Sequence, residues 1–596
     1  MKPLNFVLVA LLFFLVAAAL STGVTAANNT IQDTPKLPDP WNNRTGTHYT
    51  TIQAAINDAQ PGDTIIAETG TYTENIKINK TITLKAQGTP TIQPKNPNQP
   101  TITITANNTT ITGFTIKNSQ TGIHIQANQC KITNNNITNN TYYGIYLDYS
   151  SNNTISNNNI TNNGLGIDLW YSSNNILSNN NITNNTYYGI YLNNSSNNTI
   201  YNNKITNNKY DGIYICYSSN NILSNNNITN NGLGIDLWYS SNNILSNNNI
   251  TNNTYYGIYL FYSSNNNMIS NNKITNNGDD GIDLWYSSNN TISNNNITNN
   301  GLGIDLSDSE YNKIYNNNIT NNDYDGIDLR YSSNNNLISN NNITNSGNDG
   351  IYICYSSNNT ISNNTINNMY YYGIYLYDSS NNTISNNNIT NNGEDGIYLY
   401  DSSNNNTISN NNITNNKGRG IFLYGDNNIV YRNSFIGNGV QAIVYFGMDN
   451  LFNLAKPTGG NYWSDYTGKD LDGDGFGDTP YTFTGGQDNL PLIIPKINSI
   501  DPANGAVSVP SNKTIIITFN QNILKGPSYA NITVKMANGT VKTINKTISG
   551  NKLYIKAIYN WNPGVKFTVT IPKNAIKNSI GSMLATDYSS TFTVAR

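Results

Sequence analysis

Charge is scarce in this chain of 596 residues: Asp, Glu, Lys and Arg together make up 11%, and the formal net charge is −3. There is no basic field to neutralise a phosphate backbone, so nucleic acid is excluded as a partner. Cysteine is nearly absent. Cys130, Cys216 and Cys354 are too few for the disulfide framework of a small exported scaffold. Long apolar runs are absent after residue 20, so no membrane span is expected once the N-terminal segment is removed. That segment has Lys2 as a positive start, Phe6 to Leu20 as an apolar stretch and Val24-Thr25-Ala26 as a small-residue cleavage site. It reads as a secretory signal over residues 1–26, which implies a secreted or cell-surface protein.

What is plentiful is asparagine, as in "SNNTISNNNITNN" from Ser151 to Asn163. Asn is poor in helices and depleted in strands, which alone would suggest disorder. Against that stand 37% apolar residues and 43 tyrosines, too many for a chain without a core. Aligning the dipeptide Gly-Ile places glycines at Gly122, Gly144, Gly166, Gly189 and onward to Gly420, fourteen copies in steps of 22 to 24 residues. A fixed period of that length marks a solenoid. Within "GIYLDYSSNNTISNNNITNN", Ile145 and Leu147 alternate with Tyr146, and single isoleucines follow at Ile155 and Ile160. Three short strands per coil result. Leucine-rich repeats share the length but need a helical period, and none is present. Asn suits the corners because it tolerates the left-handed conformation, and stacked Asn amides bond the coils above and below. Ile155 and Ile160 are the only residues of the phrase expected in the core. The predicted fold is all-β: a right-handed three-stranded parallel β-helix solenoid followed by a small Ig-like β-sandwich.

With this repeat the chain resembles the parallel β-helix proteins of the pectin-lyase-like superfamily, particularly NosD-like and archaeal or bacterial surface adhesin-like members, over roughly Tyr49 to Leu492. "HYTTIQAAINDAQPGDTI" resembles the family's opening segment, in which a short helix from Ile52 closes the end of the solenoid. The NosD-like name carries an expectation of copper, but two histidines and six methionines leave no soft-ligand cluster. From about Pro495 the alternating segments resemble the bacterial Ig-like domains of S-layer and adhesion proteins. The expected organisation is a signal at 1–26, a linker at 27–48, a cap and first coils at 49–121, Asn-rich repeats at 122–445, an Asp/Gly-rich cap segment at 446–494 and an Ig-like domain at 495–596.

Candidate sites fall in three places. The residue two after each aligned glycine is expected to point outward, and that column includes Tyr146, Asp168, Tyr191, Asp236 and Tyr259, with Trp170, Trp238 and Trp285 two positions on. Aromatic rings and carboxylates make a sugar-binding face, while tyrosine ladders also simply stabilise a sheet. Asp283, Asp305 and Asp328 lie on three consecutive coils with Arg330 nearby, ~5 Å apart, a separation close to that of the paired carboxylates of retaining glycosidases. They read as weak catalytic candidates, or as a solvated or cation-binding strip. In "KDLDGDGFGDTPY", Asp470, Asp472, Asp474 and Asp478 match positions 1, 3, 5 and 9 of a calcium loop, but Tyr481 stands where Glu belongs. Calcium is therefore the one cofactor these residues suggest. About thirty Asn-x-Ser/Thr sequons invite glycosylation if the host modifies exported proteins. The leading function is a non-enzymatic envelope or adhesin-like protein that binds surface glycans; the alternative is a polysaccharide lyase or glycoside hydrolase on the same scaffold.

Overall fold

The computed structural model describes residues 39–596. The expected signal at 1–26, and residues 27–38 of the expected linker, lie outside the described residues. One coil shows the rule for all. The strand Ile235–Trp238 turns into Ile244–Ser246, then Asn249–Thr251, and the chain returns to Ile258–Phe261 directly beside the first strand. Like residues pair between coils: Ile235 with Ile258, Leu245 with Ile269, Ile250 with Ile274. Repetition over about 17 turns makes three parallel sheets, here called the Gly-Ile, Thr-Ile-Ser and Asn-Ile-Thr sheets. A three-residue strand has no stability alone; each coil is held by its neighbours.

The interior is columns of Ile and Leu, with Ile145, Leu147, Ile155 and Ile160 all 0% exposed. They are not the only residues that enter it. At each corner two asparagines divide the work. Asn152, Asn157 and Asn162 take φ of 60°, 57° and 58°, the left-handed turn that Asn tolerates. Their successors Asn153, Asn158 and Asn163 are buried. The amide N–H and Nδ2 of Asn158 both donate to Asn180 Oδ1, at 3.0 and 3.1 Å, and Nδ2 also donates to the Ile132 carbonyl at 2.8 Å. Such pairing offsets the cost of burying an amide and lets the core contain columns of asparagine, although Nδ2 of Asn153, Asn221, Asn290 and Asn359 finds no partner among the described residues. A serine column does the same at the fourth corner, where the Ser195 N–H donates to Ser218 Oγ at 2.7 Å.

Both ends are closed. The helix α1, Ile52–Asp58, is capped by Thr51 Oγ1, which accepts from the Ala54 N–H, and lays Ile52, Ala55 and Ile56 over the first coil. Trp41–Asn42 pairs antiparallel with Ile65 and Ile66 and covers one sheet edge, so the described part of the expected linker packs on the solenoid. At the other end Tyr462–Trp463 adds the last strand of the Asn-Ile-Thr sheet, and Trp463 stacks on Phe435 at 4.5 Å. Two four-stranded sheets then enclose a separate core around Trp561, Phe567 and Phe592.

Candidate functional site

Along the Gly-Ile sheet two flanks carry aromatic side chains. On the flank after the strand, Tyr217, Tyr239, Tyr262 and Tyr286 follow one another at ring separations of 5.1, 5.7 and 5.5 Å, within 11° of parallel. All four have positive φ, between 41° and 51°, a costly conformation for a bulky side chain that the stacking offsets. The sequence reading missed this row, although "YSS" recurs visibly in almost every coil. Rings stacked face to face leave only their edges to solvent. The same applies to several residues expected to form a sugar platform. Tyr146 lies between His124 and Tyr143 at 5.0 and 4.8 Å, Tyr191 stacks on Tyr214 at 5.2 Å, and Tyr259 stacks on Tyr256 and Phe261 at 5.0 and 5.3 Å. Trp238 stacks on Tyr239 at 6.1 Å, and Trp170 meets Tyr171 edge-on at 5.6 Å. The expected outward exposure of the aspartates in this column is also corrected. Asp168, Asp283, Asp305 and Asp328 leave the barrel outward but are only 4%, 7%, 7% and 1% exposed.

This row of four stops at the coil of Asp305. Where its neighbours read "LWYSSNN" and "LRYSSNN", the coil of Asp305 reads "LSDSEYN", so Ser307 and Asp308 replace a bulky residue and a tyrosine. On the opposite flank the same coil supplies Gly301. Small side chains between two bulky coils open a cleft of about 990 Å³, bounded by Trp285 and Tyr286 on one side and by Arg330, Tyr331 and Tyr324 on the other. Tyr324 and Tyr331 are 57% and 58% exposed and make no ring contact among the described residues, so their faces are free.

The floor is acidic. Asp283, Asp305 and Asp328 are direct partners on three adjacent strands. Arg330 binds two of them, with Nε 2.5 Å from Asp328 Oδ2 and Nη2 3.4 Å from Asp305 Oδ2. One guanidinium faces two carboxylates, so burial holds both above the carboxylate range, Asp305 at about 6. Among the described residues Asp283 has no hydrogen bond or ion pair, and burial, then Asp305, raises it well above the carboxylate range. A second acidic column went unread because the alignment was followed only forward of the glycine. In "DGI" the aspartate precedes it, as in Asp280, Asp325 and Asp349. Asp325 Oδ1 accepts the Asp349 N–H at 2.8 Å and Asp349 Oδ1 accepts the Tyr372 N–H at 2.9 Å, so this column caps the next coil. The structure thus joins Asp283, Asp305, Asp328, Arg330 and Trp285 in one cleft and leaves Tyr146, Asp168, Trp170, Tyr191, Asp236, Trp238 and Tyr259 outside it.

Burial raises Asp168 and Asp280 to about 7, Asp325 to about 6 and Asp349 to about 8. A carboxyl raised on folding above its unfolded value of ~3.9 makes the native state the better proton binder, so its stabilising contribution is present in acid and lost as pH rises through the folded pKa. The melting temperature is therefore expected to be highest near pH 5 and to fall toward pH 8. A flat or rising profile in a calorimetric series would contradict this.

At the far end Asp470, Asp472 and Asp474 bring oxygens within 4.8 Å of one another, the one such group of three among the described residues. Asp283, Asp305 and Asp328 therefore do not converge on a single ion. Asp478 stands apart, accepting the Leu471 N–H at 2.6 Å, and Lys456 pairs with Asp474. Asp470 accepts the N–H groups of Gly473 and Gly475 at 2.7 and 2.9 Å, which preforms the turn.

The sequence profile of the right handed beta helix region matches residues 101–249, 202–342 and 311–454, and that of a bacterial Ig-like domain matches 493–594. A cell surface glycoprotein of Methanothermus fervidus is 44% identical over 101 residues, which is 16% of this chain and 17% of that protein. The chain thus matches about a sixth of that relative's length. Among solved structures, an alginate lyase from a Paenibacillus species aligns at 15% identity over 41% of this chain and 91% of its own, with a TM-score of 0.31. A DFA-IIIase from Arthrobacter chlorophenolicus aligns at 13% over 44% and 86%, with a TM-score of 0.37. At such identities a likeness speaks to the fold alone.

Proposed function

Because the chain belongs to the right handed beta helix region family and ends in a bacterial Ig-like domain, we propose that it is an exported cell-surface protein whose solenoid binds a glycan. The surface assignment is supported by the cell surface glycoprotein relative. The observation that carries the glycan reading is the coil of Asp305, where free tyrosine faces meet buried carboxylates in one cleft. Rings offer apolar faces to a sugar, and carboxylates accept its hydroxyls. Replacing Tyr324 and Tyr331 with Ala leaves the fold intact, since both are exposed, and is expected to weaken oligosaccharide binding about 3- to 10-fold each. Unchanged binding in both variants on a glycan array would sink the assignment.

One observation favours the enzymatic alternative. Asp305, ion-paired to Arg330, adjoins Asp283, which has no ion pair among the described residues, and two carboxyls in unlike surroundings are the arrangement that an acid and a base require. New reducing ends or unsaturated products from a polysaccharide panel, abolished in Asp305→Asn, would establish it in place of simple binding.

Calcium at Asp470, Asp472 and Asp474 is the proposed cofactor. A ligand bound only by the folded state stabilises it, so calcium is expected to raise the melting temperature by a few degrees and a chelator to reverse this. An unchanged transition with excess chelator counts against the site.

A further inference from the structure

Resting on the glycan reading, we infer that the cleft selects a cationic saccharide, one carrying free amino groups, and excludes polyuronates. The argument is charge complementarity in a confined space. Seven aspartates, Asp279, Asp280, Asp283, Asp305, Asp308, Asp325 and Asp328, line the cleft against a single cation, Arg330. Arg330 is spent on Asp328 and Asp305. Asp283 is 7% exposed, opens on the cleft and has no hydrogen-bond or ion-pair partner among the described residues. Asp305 and Asp328 each keep a second oxygen, Oδ1, with no hydrogen bond. Those two oxygens are shut off from solvent, so the carboxyl left to a ligand is Asp283, and an ammonium group with three donors is the chemistry that pairs with it. A carboxylate-bearing sugar would add like charge to the same walls, where the low dielectric magnifies repulsion. The aromatic rim fits the apolar face of a pyranose, and Tyr331 and Trp285 stand on opposite sides of the acidic floor. A free amine on the sugar then reaches the carboxyls that the rim surrounds.

Titration supports the assignment. Around Asp283 stand Asp279, Asp280, Asp305, Asp308, Asp325 and Asp328, and the other titratable groups lining the cleft are Arg330, Cys354, Tyr256, Tyr286, Tyr324, Tyr331 and Tyr352. With Asp305 at about 6 and Asp280 at about 7, burial being the main cause for both, ionisation on ammonium binding releases protons. Affinity therefore rises with pH between about 5 and 6.5, where the sugar amine stays protonated.

The test is calorimetric titration of the full chain with three hexasaccharides: glucosamine, its N-acetylated form of the same backbone, and galacturonate, with hexalysine as a non-sugar cation. The glucosamine hexamer is expected to bind at least 10-fold tighter than the other three, and to weaken steeply with added salt. Asp283→Asn should lower that affinity about 10-fold; it keeps the side-chain shape, and its melting temperature checks folding. If that variant fails to fold, the salt and pH dependence of the unmodified chain decides the matter. Equal binding of the acetylated hexamer, or preference for galacturonate, overturns the inference while the glycan reading stands. Equal binding of hexalysine overturns it as a saccharide site. Binding of no oligosaccharide at all removes the glycan reading and this inference together.

Discussion

Gly234→Ala is expected to destabilise the solenoid by at least ~3 kcal/mol, although it adds one methyl group to a residue with ordinary backbone angles. The aligned glycines are not turn residues: none has a positive φ, and the left-handed corners are taken by asparagine and, after the Gly-Ile strand, mostly by tyrosine. What they lack is room. A Cβ on Gly234 would lie 2.3 Å from the Gly257 carbonyl oxygen and 2.5 Å from Ile250 Cγ2. Backbone of the next coil stands on one side and a fully buried isoleucine on the other, so neither neighbour yields without breaking the pairing of adjacent strands. The Gly-Ile sheet turns into the barrel at this point because a hydrogen atom is all that fits. Since each coil is held only by its neighbours, the damage should be local. Hydrogen exchange is expected to accelerate in the coils on either side of residue 234 while the Ig-like core around Trp561 stays protected. A variant that melts with the parent would show that the coils can separate to admit a methyl group.

Neighbouring asparagines should respond in opposite ways to the same chemical change. Asn226→Asp is expected to cost about 3–5 kcal/mol at neutral pH. Asn226 is 1% exposed; its Nδ2 donates to the Ile200 carbonyl at 2.9 Å and to Asn248 Oδ1 at 3.1 Å, and its Oδ1 accepts from the N–H and Nδ2 of Asn203. A carboxylate keeps the accepting half but turns both donated bonds into contacts between oxygens, with a charge buried among them. Asn225, one residue earlier, is exposed and has φ of 56°. Aspartate also tolerates that conformation, so Asn225→Asp should stay within about 0.5 kcal/mol of the parent. Acid should partly rescue Asn226→Asp, because a protonated carboxyl recovers one donor. Equal melting temperatures for the two variants at pH 7 would mean that the ladder contributes little.

The solenoid was legible because its signal is repeated. A step of 22 to 24 residues, period-two alternation around Ile145 and Leu147, and single isoleucines between asparagines leave few other folds for the chain. The role of each asparagine was only half legible. Asn157 and Asn158 are the same letter, and the choice between solvent and core is made by the coils above and below, where each buried amide finds its partners. Composition likewise announced an aromatic and acidic face without revealing which rings spend their faces on one another. Tyr262 and Tyr331 occupy the same place in their coils, yet the first is stacked on both sides and the second is free.

By itself the sequence determined the architecture, since periodicity is a property of the chain and stacking follows from it. The tertiary structure alone decided where the cleft opens and what it presents. The space depends on the difference between adjacent coils: Ser307 and Asp308 matter because Trp285, Tyr286, Arg330 and Tyr331 stand one turn away on either side. The charge of its floor depends on three aspartates some 22 residues apart becoming strand partners, sharing one arginine and losing water together. Burial and cross-coil contact are properties of the assembled stack, and no single repeat contains them.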